Sequence, residues 1–139
     1  MSWVVLALGS ALFAGLTAVL AKIGVERVPS NAATLIRSAV ILVFVALVVA
    51  LRREWPQSGQ LNARSVTFLI LSGLTTGLSW LCYYRALQLG PASLVAPLDK
   101  LSLAVAVLLA VAFLGERLTA WQWTGAALMA LGGLLLAFR

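Results

Sequence analysis

The chain has 139 residues, of which 63% are hydrophobic and only 10% charged, and its mean hydropathy is +1.06. A soluble domain carries about 25% charged residues, so this composition points to a membrane protein and leaves little sequence for a water-soluble domain. Histidine is absent and Cys82 is the single cysteine, which excludes an intrachain disulfide and a Cys/His metal cluster. The net charge of +6 is scattered as single or paired Lys and Arg, a pattern that fits helix ends anchored at lipid headgroups and not nucleic-acid binding.

Five apolar stretches follow one another. A helix of about 20 apolar residues crosses a hydrocarbon core about 30 Å thick. Trp3–Ala21 runs 19 residues without a charge and predicts a first span over 3–23. It lacks a basic start and is longer than a signal-peptide core, so it is expected to remain as a membrane helix. Ser38–Leu51 gives only 14 uncharged residues. A second span over 32–51 therefore takes Arg37 into the membrane, with Ser30 and Asn31 as candidate N-caps. Ser65–Tyr84 gives 20 uncharged residues and predicts a third span over 65–87, ended by Gly90-Pro91. Leu101–Gly115 gives 15. The fourth span, over 94–114, thus includes Asp99 and Lys100, with Ser93 as candidate cap. Leu118–Phe138 gives 21 and predicts a fifth span over 120–138, in which Thr119 and Gln122 have capping-box spacing. Short connections make sequential helices antiparallel neighbours. The expectation is an all-α membrane protein with one five-helix domain over 1–139.

An embedded charge costs about 2.5–3.5 kcal/mol at a helix centre on insertion scales, so it normally faces protein or water. Lys22 and Arg85 fall near the ends of the first and third spans. Arg37, Asp99 and Lys100 fall about two turns inside the starts of the second and fourth, roughly 9 Å deep. All five are thereby expected in the same half of the membrane. Asp99 is the sole carboxylate within a span, and Arg37, Arg85 or Lys22 are its expected partners. Lys100 points about 100° away on a regular helix and is a poor one. This network either ties helix ends together or forms a polar site for solute or proton. Pro97, two residues before the acid, loosens the helix start, as happens where backbone lines a transporter cavity. Gly73, Gly77, Trp80, Tyr84 and Leu87 form a stripe on the third span. Trp80, Tyr83 and Tyr84 can make an aromatic wall for an organic solute. The substrate-binding candidates are thus Trp80, Tyr83, Tyr84, Asp99, Lys100 and Arg37. The gate or coupling candidates are Asp99, Arg85, Lys22 and Pro97. Gly125 and Gly132 share a face of the fifth span with Gly133 alongside, suiting either a dimer contact or packing within the chain.

Trp3, Trp55, Trp121 and Trp123 all lie near the boundary on the N-terminal side, as an interfacial aromatic belt requires. The flanking Lys and Arg are nearly balanced. Arg52, Arg53, Arg64 and Arg117 lie on the N-terminal side; Lys22, Arg27 and Arg139, with Arg85 close by, lie on the other. That fits a weakly oriented chain with its N-terminal side in the cytoplasm, or a chain that inserts both ways and pairs as an antiparallel homodimer. There is no histidine base, acid pair, P-loop or metal set, so no enzyme is expected.

Three segments carry a resemblance: AKIGVERVPSNAATLIRS at 21–38, LSGLTTGLSWLCYYRALQLGPASLVAPLDKLS at 71–102, and FLGERLTAWQWTGAALMALGGLLL at 113–136. The stretch from GLSWLCYYRAL to APLDKLS and the later LGERLT are the more specific parts. Together they make the chain resemble the EamA family of the drug/metabolite transporter superfamily over essentially its whole length. Many members carry ten helices as two inverted five-helix repeats, and this sequence looks like a single repeat, similar to short bacterial and archaeal members. The resemblance implies export or exchange of small organic solutes (metabolites, amino acids or drug-like compounds) by alternating access, from two inverted copies in the cytoplasmic membrane of a bacterium or archaeon, with no cofactor. It departs from the four-helix small multidrug transporters, which use a glutamate in helix one; the first span here has no acid. The rival expectations are a non-transporting membrane subunit or assembly partner, and half of a heterodimeric transporter.

Overall fold

The computed structural model describes residues 2–57, 59 and 61–137. Phe138, at the end of the expected fifth span, and Arg139, counted for orientation, lie outside them. Among the described residues the regular structure is helical throughout: α1 Trp3–Gly24, α2 Ser30–Arg52, α3 Ala63–Leu89, α4 Ala92–Asp99, α5 Leu101–Leu114 and α6 Ala120–Ala137. Among the described residues four stretches are long and apolar enough to cross a membrane, namely α1, α2, α3 and Ala92–Leu114; α6 is apolar but shorter. The surface matches a lipid surrounding. Leu42 is 71% exposed, Leu74 61% and Phe113 82%, an arrangement that water would penalise and hydrocarbon does not.

The expected fourth span is two helices. Pro97 has no N–H to give the Ser93 carbonyl, and the chain tightens just after it. Lys100 N–H bonds the Pro97 carbonyl three residues back at 3.1 Å, and Leu103 N–H bonds the Lys100 carbonyl at 3.0 Å. The helix thus changes over at Lys100, with φ −71° and ψ −5°.

Helix starts differ from the expected caps in a consistent way. Pro29 and Pro91, not Ser30, Asn31 or Ser93, occupy the N-cap positions of α2 and α4. Each proline carbonyl accepts the first helical bond, from Ala33 at 2.9 Å and from Val95 at 3.0 Å. Proline's preset φ suits a helix entry, and a cap side chain is dispensable there. Asn62, whose Oδ1 accepts from Ser65 N–H at 2.7 Å, starts α3 two residues earlier than expected. The capping box at α6 forms as predicted: Thr119 N–H donates to Gln122 Oε1 at 2.7 Å, and Gln122 N–H reaches back to Thr119 Oγ1 at 3.4 Å. Gly115 closes α5 with φ +68°, a left-handed turn that glycine adopts without steric cost.

The chain forms two compact units, one of the residues up to Lys22 and from Leu89 onward, the other of Ile23–Gln88. In the first, α6 packs along α4 and α5. Leu101, Ala104, Val107 and Ala110 recur along the half-buried side of α5, and Ala126, Ala130 and Gly133 along that of α6. These residues are mostly small, which lets helix backbones approach closely where lipid supplies no hydrophobic drive. In the second unit Arg37 of α2 reaches the Trp80 and Tyr84 rings of α3. Tyr84 and Leu87 are the buried members of α3, and Val25 is buried in the turn before α2.

Candidate functional site

The charged and aromatic candidates divide between the units. Ile23–Gln88 holds Arg37, Trp80, Tyr83, Tyr84 and Arg85. The stripe expected on α3 is real: Gly77 and Trp80 are half-buried and Tyr84 and Leu87 buried, while Gly73 at its far end is exposed. Arg37 comes from α2 and lays its guanidinium 4.2 Å from the centre of the Trp80 ring and 5.6 Å from that of Tyr84. Tyr83 meets Tyr84 edge-on, with ring centres 6.3 Å apart. A partly desolvated cation–π contact contributes about 0.5–2 kcal/mol, against about 2.5–3.5 kcal/mol for embedding the charge. The rings therefore offset part of the cost of placing Arg37 within a span.

Polar groups around this arrangement are satisfied locally. Thr34 Oγ1 donates to the Ser30 carbonyl at 2.9 Å and Ser38 Oγ to the Thr34 carbonyl at 2.8 Å. This back-bonding along one face of α2 keeps hydroxyls compatible with an apolar setting. Gln88 is the polar residue that sequence reasoning missed. Its Nε2 donates to the Val25 carbonyl at 3.2 Å and the Val28 carbonyl at 2.8 Å, fixing the α1–α2 turn. Its Oε1 accepts from Arg85 at 3.1 Å. A signal existed: Gln88 lies one turn beyond Tyr84 and three residues after Arg85, at the end of the span. Arg85 also lines an open cavity of about 500 Å³ with Ser30, Asn31, Leu81 and Cys82.

The other unit holds Lys22, Pro97, Asp99, Lys100 and the α6 glycines. The Lys100 ammonium donates to Asp99 Oδ2 at 3.3 Å, which corrects the expectation that Lys100 is a poor partner. The long, flexible Lys100 stem carries its ammonium back to the neighbouring carboxylate despite the angular offset between adjacent helical positions. Lys22 Nζ donates to the Gly90 carbonyl at 2.9 Å, so it ties the end of α1 to the connection before α4. Gly133 is buried within the chain: a Cβ there would sit 3.2 Å from the Pro97 carbonyl oxygen and 3.4 Å from Leu101 Cδ2. Gly125 and Gly132 are exposed, with nothing within 4 Å of an added Cβ.

Four membrane-length apolar stretches, an interrupted fourth span and charge within the spans describe a multi-pass membrane protein. The pattern of the EamA-like transporter family matches residues 1–138. The chain belongs to this family. An uncharacterized transporter in the cobO 3′ region of a Sinorhizobium species is 52% identical to this EamA chain over 136 residues, covering 98% of it and 96% of the relative. An uncharacterized protein of Methanocaldococcus jannaschii is 36% identical over 76 residues, covering 55% of the EamA chain and 56% of its own length. No solved structure matches. The family is one of transporters.

Proposed function

We propose that this EamA protein moves small organic solutes across the cytoplasmic membrane by alternating access, working as an antiparallel pair. The interrupted fourth span carries the reading. A membrane helix that changes over beside an ion pair, Asp99–Lys100, exposes backbone and charge that are tolerated where they line a polar pathway. The Trp80, Tyr83 and Tyr84 rings with Arg37 supply a surface for an organic body, and Pro97, Lys22 and Arg85 are the movable or tethering parts. The exposed Gly125 and Gly132 suit a partner's close approach. The 52% identical relative is matched over 96% of its own length, which supports a working unit built from single five-helix chains. Relatives in a bacterium and an archaeon support a cytoplasmic-membrane location.

Purified protein alone in proteoliposomes is expected to exchange organic solutes from a broad panel, and Asp99→Asn is expected to alter the pH dependence of that flux. Absence of flux across the panel would favour a non-transporting subunit. Flux only after addition of a similar chain would favour a heterodimer. Unaltered pH dependence in a folded Asp99→Asn variant would remove Asp99 from coupling.

A further inference from the structure

We infer that the solute carries an anionic group, a carboxylate on a planar or apolar body, which pairs with Arg37 and lies along Trp80 and Tyr84. This inference rests on the transporter reading and names the charge of its substrate. A guanidinium has two faces and an edge of five N–H donors. In Arg37 the contacts run to the rings of Trp80 and Tyr84. Among the described residues its N–H donors make no hydrogen bond or ion pair. The edge that recognises carboxylates in a bidentate way is therefore unspent, inside a span where an unmatched charge is disfavoured.

The charge balance of this unit points the same way. Ile23–Gln88 contains six arginines and two acids, Glu26 and Glu54. Both acids lie in connections outside α2 and α3, and Glu54 pairs with Arg52 at 3.6 Å. No carboxylate within α2 or α3 competes with a solute anion for Arg37. The same two helices carry the open cavity of about 500 Å³, whose charged residue is Arg85 and whose other polar liners are Ser30 and Asn31. A cavity with this lining attracts anions and repels cations. The Trp80 and Tyr84 rings, which lie against Arg37 and do not line this cavity, add selectivity for a planar or apolar body over a small inorganic anion.

The test uses probes that share a ring and differ in charge: indole-3-acetate, indole-3-acetamide and tryptamine, with the matching phenylacetate, phenylacetamide and phenethylamine. In thermal-shift titrations of the purified full chain, the acids are expected to bind at least about tenfold more tightly than the amides, and the amines not at all. Arg37→Lys keeps the charge and loses the fork, so it is expected to weaken the acids about tenfold. Arg37→Gln should abolish the preference of acid over amide, with folding checked by circular dichroism and gel filtration. Equal binding of amide or amine, no binding by any acid, or an unchanged acid-to-amide ratio in folded Arg37→Lys would overturn the inference. Proteoliposome flux separates it from the reading beneath it. Movement of amines or amides without acids keeps the transporter and sinks the anion site. Arg37-dependent binding of acids without movement of any solute does the reverse.

Discussion

Gln88 shows how much one side chain can organise at a helix end. Two carbonyls of the α1–α2 turn, Val25 and Val28, depend on its amide nitrogen, while its oxygen holds Arg85. Gln88→Glu keeps an oxygen for Arg85 but has no donor for the carbonyls when ionised. It is expected to lower stability by about 1–3 kcal/mol, close to Gln88→Ala, because lost donation to part-buried carbonyls is the larger effect. Thermal unfolding in detergent would show it; a Glu variant as stable as wild type would assign the residue to Arg85 alone. Asp99 shows the same dependence on immediate surroundings. Its observed partner is its sequence neighbour, reached by the flexible Lys100 side chain.

At the scale of the element, α6 has two different glycine environments one residue apart. Gly133 lies against the Pro97 carbonyl, and Gly132 against nothing within 4 Å. A backbone oxygen yields less readily than a side chain. Gly133→Ala is therefore expected to cost about 1–3 kcal/mol by overpacking. Gly132→Ala should leave the folded chain as stable or slightly more so. Melting temperatures of the two variants in the same detergent decide the matter. Equal destabilisation would mean that the outer face is also packed. If the antiparallel pair uses that face, Gly132→Ala will weaken pairing in cross-linking without lowering the monomer's stability.

For the whole molecule, the open question is insertion. The near balance of Lys and Arg between the flanks leaves orientation weakly specified under the positive-inside rule. Two lysines added to the α2–α3 connection should force one orientation. A chain that works as an antiparallel pair is then expected to lose flux, and to regain it when co-produced with a variant carrying two extra lysines in the α1–α2 turn. Full flux from the first variant alone would show that two-way insertion is unnecessary. The exposed tryptophans, Trp3 at 79% and Trp121 at 86%, are free to serve as interfacial anchors in either orientation.

The sequence by itself placed the helical segments to within about two residues of their ends, the break at Lys100 apart, and the capping box at Thr119–Gln122, because in lipid each segment must satisfy its own backbone and hydropathy is a local property. It also showed the α3 stripe, since helical periodicity places Trp80, Tyr84 and Leu87 on one side. The polar partners were decided by tertiary structure. Lys22 meets Gly90 across 68 positions and Gln88 meets Val25 across 63. Arg37 chose aromatic faces, whereas the charge pattern alone had offered it a carboxylate. Long polar side chains in an apolar setting bind whichever compatible group lies within reach, and only the folded chain determines what is within reach.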